Sequence, residues 1–167
     1  MPRPPRRPPS PVRGSRPRPR DDPLDGGPLA PYKANYRGLL AEVRALLAPR
    51  ELLLSDARAL RLAGRGPTSP TAIALALDIS PASATELIDR LERRGLLRRS
   101  TDRTDRRAVV VSLTPSGSRT NRWAAERVRR LARAISRELG PEGCAAVDHA
   151  SGLVADALQT CRARRLR

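Results

Sequence analysis

Three hydroxyl-proline steps, Ser69-Pro70, Ser80-Pro81 and Thr114-Pro115, constrain most strongly what this chain can fold into. In each, a side-chain oxygen able to accept from free backbone amides precedes a proline, whose missing N–H costs nothing in the first turn of a helix. They predict helix starts near residues 70, 81 and 115. Between the last two lie Gly95, suited to ending a helix, and Val109-Val110-Val111, whose β-branched side chains favour a strand.

The segment from Pro81 to Arg94 is the most sharply patterned helix. Ala84, Leu87, Ile88 and Leu91 recur on one side, while Ser83, Glu86, Asp89, Arg90 and Arg93 fall wholly or partly outside it. Arg93 and Arg94 suit its negative end. A short helix over Thr71 to Leu77 precedes it across Asp78, Ile79 and Ser80. Another is expected from Asp56 to about Ala63, capped by Ser55 and ended by Gly64, Gly66 and Pro67. Leu29 to Ala48 predicts the first helix, with Leu39, Leu40, Val43, Leu46 and Leu47 on its apolar stripe. Behind Gly95 the period changes. Leu96 to Arg99 and Ala108 to Leu113 predict two strands around a polar loop from Ser100 to Arg107. A long helix from Pro115 to Leu139 follows, then a break at Gly140-Pro141 and a last helix from Ala145 to about Gln159.

Charge narrows the class of partner. The chain has 167 residues, 33 basic and 17 acidic, for a formal charge of +16. Residues 1–20 hold eight prolines, seven arginines and no acid, with Val12 as the one large apolar side chain after Met1, so residues 1–28 are expected to be a disordered basic arm. The excess favours a polyanionic partner. No apolar run reaches the length of a membrane span and no secretion signal is evident, so the expectation is a cytoplasmic protein without a membrane partner. Cys144 and Cys161 lack a CxxC spacing; inert thiols and a regulatory disulfide both remain open. His149 beside Asp148 offers too few ligands for a metal, and no catalytic constellation, cofactor cradle or phosphate loop is apparent, so no enzyme is expected.

Two short helices, a tight turn, a third helix and a charged hairpin form an ordered set. A helix fits the major groove of DNA and its neighbour can brace it across the backbone, giving a mainly α winged helix-turn-helix in an α+β chain. Arg98, Arg99, Arg103, Arg106 and Arg107 crowd the hairpin, and Asp102 and Asp105 can pin them. The bland alternative is a solvated, salt-bridged turn.

The run Leu-Ile-Asp-Arg-Leu-Glu-Arg-Arg-Gly-Leu-Leu at 87–97, with Asp102 to Arg107 and Val-Val-Val-Ser-Leu-Thr-Pro-Ser-Gly at 109–117, resembles the MarR family of bacterial transcriptional regulators. The resemblance implies a domain over 29–162, with a winged helix-turn-helix core at about 53–114. Helices at about 32–48 and 115–160 would form a dimerisation layer. It implies that Ser80, Ala82, Ser83, Thr85 and Glu86 open the recognition helix and that Asp105, Arg106 and Arg107 mark the wing. The expected partners are double-stranded DNA, a second copy of the chain and, as often in the family, a small aromatic or phenolic effector, whose binding residues the sequence does not assign. Ser83, Thr85 and Arg90 are the expected base contacts, and the wing arginines those to a minor groove or its phosphates. Glu86 departs from the basic or neutral residue often found there. It can accept from cytosine or orient Arg90 four residues on, and the second role is the preferred expectation. A winged-helix module for an acidic protein and an RNA-binding accessory protein are the alternatives.

Overall fold

The computed structural model describes residues 29–101 and 109–165. The described residues fall into two units, one ending at Leu39 and the other beginning at Leu40. In the first unit the described residues are helical from Ala30, with Pro31 in the opening turn, and Leu29, Tyr32, Tyr36 and Leu39 are exposed. This helix, α1, spans Ala30–Leu47. The expected stripe is therefore covered only towards its end: Leu47 is buried and Val43 packs against the core of the second unit.

In that second unit a 3-10 turn at Ala48–Arg50 leads to α2, Leu54–Ala63. The expected cap at Ser55 is corrected. The helix begins one residue before it, at Leu54, and the Asp56 carboxylate reaches back to accept from the Leu53 N–H at 2.9 Å. The serine-proline signals hold. Ser69 accepts from the Ala72 amide to open α3, Pro70–Leu77, and Ser80 accepts from the Ser83 amide to open α4, Pro81–Arg93. Between them Asp78 turns the chain at φ 56°, and after α4 Gly95 does so at φ 64°.

Strands β1, Leu97–Thr101, and β2, Val109–Leu113, pair antiparallel with Leu97 opposite Leu113 and Thr101 opposite Val109. Thr68 bridges to the other side of Val111 through two backbone hydrogen bonds of 3.0 and 2.7 Å, tying the α2–α3 connection to the hairpin. Leu60, Ile73, Ile88, Leu91, Leu97 and Val111 meet in one core, each without measurable exposure or nearly so.

The last helix, α5, runs Pro115–Arg165 with a break at Gly140, φ 65° and ψ 178°. Helical geometry resumes at Pro141, four residues before the expected Ala145, because a proline can occupy a first turn. Thr114 caps the start by accepting from the Gly117 amide and donating to the Gly95 carbonyl. The expected packing residues Ile135, Leu139, Val147, Leu153 and Leu158 are instead 40–58% exposed. Internal packing of one chain therefore does not account for them. Among the described residues no single helix is long and apolar enough to cross a membrane.

Candidate nucleic-acid interface

Successive residues on a helix turn by about 100°, which separates α4 into a buried side, two flanks and an outward face. Ala84, Leu87, Ile88 and Leu91 are buried. Ser80, Ala82, Ser83, Thr85 and Glu86, expected to open a reading surface, are all exposed and adjacent. Two of them also hold the helix start: Ser80 and Ser83 hydroxyls bond at 3.0 Å, while the Thr85 hydroxyl donates to the Pro81 carbonyl. The outward surface is thus small and polar at its leading end, which permits close approach by a partner's edge.

Arg90 corrects the expectation. Its guanidinium donates to Asp56 on α2 at 2.5 Å, and Glu86 is not its partner. Asp56 is fully buried and accepts as well from the Leu53 amide. A charge-assisted bond inside the fold therefore makes Arg90 a brace that ties α4 to α2. Arg94 strengthens the same flank by donating to the carbonyls of Arg50 and Glu51 at 2.8 and 2.9 Å, the end of the 3-10 turn. The exposed arginine of α4 is Arg93.

On the opposite flank Asp89 and Glu92 both hold Arg99 of β1, at 2.5 and 2.6 Å, and Glu92 also accepts from the Arg99 backbone N–H at 3.0 Å. Burial opposes the charge on Arg99, but hydrogen bonds to Asp89 and Glu92 outweigh it and hold the pKa above its ordinary value. Arg99, expected in the wing's DNA surface, is held by two carboxylates of α4 and so latches β1 to that helix. Arg98 is exposed, with its Nε donating to Ser112 at 3.2 Å. Asp102, Arg103, Asp105, Arg106 and Arg107 lie outside the described residues.

The supporting roles of Asp56, Glu92 and Arg94 do not emerge from the sequence. Their signal there is a charged residue flanking an apolar stripe, which solvated positions show equally. Elsewhere, Cys144 is half-buried, Cys161 and His149 are exposed, and no metal-holding cluster occurs among the described residues.

Between the end of α1, α2 and α5 lies a cleft of about 380 Å³, lined by Val43, Leu47 and Val128 together with Arg58, Arg61 and Arg129. Arg58 also donates to the Ala76 carbonyl of α3 at 3.0 Å. The guanidinium groups of Arg50 and Arg127 each stack over the ring of Trp123 of α5, 4.6 Å from its centre.

The model of the MarR family matches residues 59–109. A putative transcriptional regulatory protein for the hcr operon of Thauera aromatica is 39% identical over 49 residues, 29% of this chain and 30% of that protein. The match thus spans under a third of that relative's length. Among solved structures, FabT of Streptococcus pneumoniae in complex with DNA has a TM-score of 0.69 at 18% identity, covering 78% of this chain and 94% of that one. The regulator BldR of Sulfolobus solfataricus has a TM-score of 0.62 at 25% identity over 77% and 92%. Apo MarR of E. coli has a TM-score of 0.64 at 19% identity over 77% and 98%. A family match centred on α2 to β2, set within a likeness that spans three quarters of the chain, shows that this chain has the MarR-family fold.

Proposed function

We propose that the chain is a sequence-specific, double-stranded-DNA-binding transcriptional regulator of the cytoplasm, a binding protein rather than an enzyme. One observation carries this reading. The leading face of α4, from Ser80 to Glu86, is exposed and polar, while Asp56 and Arg94 on one flank and Arg99 on the other fix the helix that presents it. Such fixation removes freedom before binding, so less has to be ordered at the groove. The FabT likeness includes a DNA complex and supports the same use of the fold.

A homodimer is part of the proposal. Leu29 just before α1, Tyr32, Tyr36 and Leu39 on it, and Val147, Leu153 and Leu158 after the α5 break, are 40–58% exposed in a single chain. Two helices with uncovered apolar residues, Tyr32, Tyr36 and Leu39 on α1 and the three on α5, with Leu29 just before α1, favour burial against a second copy. The cleft beside Arg58 supports a small effector with an apolar body. Its described lining contains no aromatic side chain, so aliphatic and guanidinium groups would hold the ligand.

Selection of bound duplex fragments from the source genome, followed by footprinting, tests the reading. Two protected major-groove segments about 34–36 Å apart, or a multiple, are expected for a two-fold dimer. Equal binding to all duplexes would refute sequence-specific regulation. Preference for RNA, or a stable acidic protein partner with no DNA protection, would favour those alternatives instead.

A further inference from the structure

Among the described residues, cationic charge is not concentrated where a reading helix would need it. Residues 70–101, which contain α3, α4 and β1, carry five arginines against four carboxylates. Three of those arginines, Arg90, Arg94 and Arg99, are engaged inside the fold. Residues 115–137 of α5 carry seven arginines against the single carboxylate of Glu126.

Six of the seven share one side of the helix. At about 100° per residue, Arg119, Arg122, Arg129, Arg130, Arg133 and Arg137 fall within an arc of about 100° and extend over about 27 Å. All six are exposed, whereas Gly117, Thr120 and Ala124 on the other side are buried. Glu126 accepts from Arg129 and Arg130 at 3.1 Å and approaches Arg133 at 3.5 Å. Hydrogen bonds from Arg130 and then Arg129 lower its pKa. One carboxylate thus organises three cations and neutralises one. Arg119, Arg122 and Arg137 have no ion-pair partner among the described residues. A groove of about 550 Å³ lined by Arg130, Arg133, Ser136 and Arg137 completes the surface.

We propose that this arginine stripe is a second duplex-DNA surface, which engages phosphates independently of base sequence and supplies the electrostatic affinity that the α4 face lacks. The complementarity lies in shape as well as sign. Duplex DNA offers one phosphate charge per about 1.7 Å of axis, so a straight stripe of this length faces an excess of acceptors, and guanidinium forks suit phosphate oxygens. The proposal rests on the DNA-binding reading above but makes a separate claim about where the affinity originates.

The test measures binding of the full chain to a random-sequence duplex of about 30 base pairs across salt concentrations. In the variant carrying Arg122→Gln, Arg130→Gln, Arg133→Gln and Arg137→Gln, the log-affinity against log-salt slope is expected to fall by about 3.6, at about 0.9 for each phosphate no longer neutralised. Low-salt affinity should drop more than about tenfold. The single reversal Arg137→Glu, at an exposed and unpaired position, should lower both in the same direction even if the fourfold variant fails to fold. An unchanged slope in both variants overturns the proposal. So does a loss of slope accompanied by loss of the native oligomer in sedimentation, which assigns the stripe to a subunit interface. Displacement of the duplex by polyglutamate or single-stranded RNA at matched charge also overturns it, in favour of those partners. Thr85→Ala should leave the slope intact while changing preference among duplexes. A native chain with no preference among sequences would defeat the regulator reading while leaving the stripe's slope measurable.

Discussion

Substituting Asn for Asp56 removes the charge that holds α4 while retaining an acceptor for the Leu53 amide. Asp56 is fully buried, its Oδ1 lies 2.5 Å from the Arg90 guanidinium and its Oδ2 lies 3.9 Å from that of Arg94. Breaking a wholly buried ion pair costs about 3–5 kcal/mol. Here the Arg90 side chain is 37% exposed and can regain water, so about 2 kcal/mol is the expected loss. With a urea m-value of about 2 kcal/mol/M, the unfolding midpoint should fall by about 1 M. Arg90→Met should cost at least as much, because it strands the buried carboxylate. The double variant should be less damaged than the sum, with a coupling of about 1.5 kcal/mol. The parallel change Glu86→Gln should leave stability within about 0.5 kcal/mol of the native value, as befits an exposed side chain. Additive effects of the Asp56 and Arg90 changes, or strong coupling of Arg90 to Glu86, would refute the assignment of Arg90 as a brace.

Gly117→Ala should destabilise the chain by about 1–3 kcal/mol in thermal unfolding, although alanine ordinarily favours a helix. An added Cβ would collide with the Leu96 carbonyl oxygen, so a stabilised variant would disprove the close approach. Asp78→Gly should raise stability by about 0.5–1 kcal/mol, because φ 56° suits glycine better than a residue with a Cβ; denaturant titration reads the sign. Glu92→Gln should speed amide exchange across β1 and β2, since it weakens the side chain that holds both the backbone and guanidinium of Arg99. Equal exchange would mean that Asp89 suffices. Thr85→Val should change relative affinities for related duplexes with little change in unfolding midpoint, and a uniform loss at every site would assign Thr85 to support rather than reading.

Local rules in the sequence determined the order of elements. Ser69, Ser80 and Thr114 start helices because each hydroxyl satisfies an amide three residues on, and Gly95 ends one because it tolerates positive φ. The apolar period of α4 located its buried side, Ala84 included, and by exclusion the exposed Ser80, Ala82, Ser83, Thr85 and Glu86. Tertiary structure decided the roles of charged residues. Arg90 and Arg93 look alike in a sequence, yet α2 brings Asp56 under one and leaves the other in solvent. The same holds for Arg98 and Arg99, separated in function by the arrival of Asp89 and Glu92. Periodicity specifies which side of a helix is apolar, but an ion pair across 34 residues depends on where another element comes to rest, and that is fixed only when the core closes.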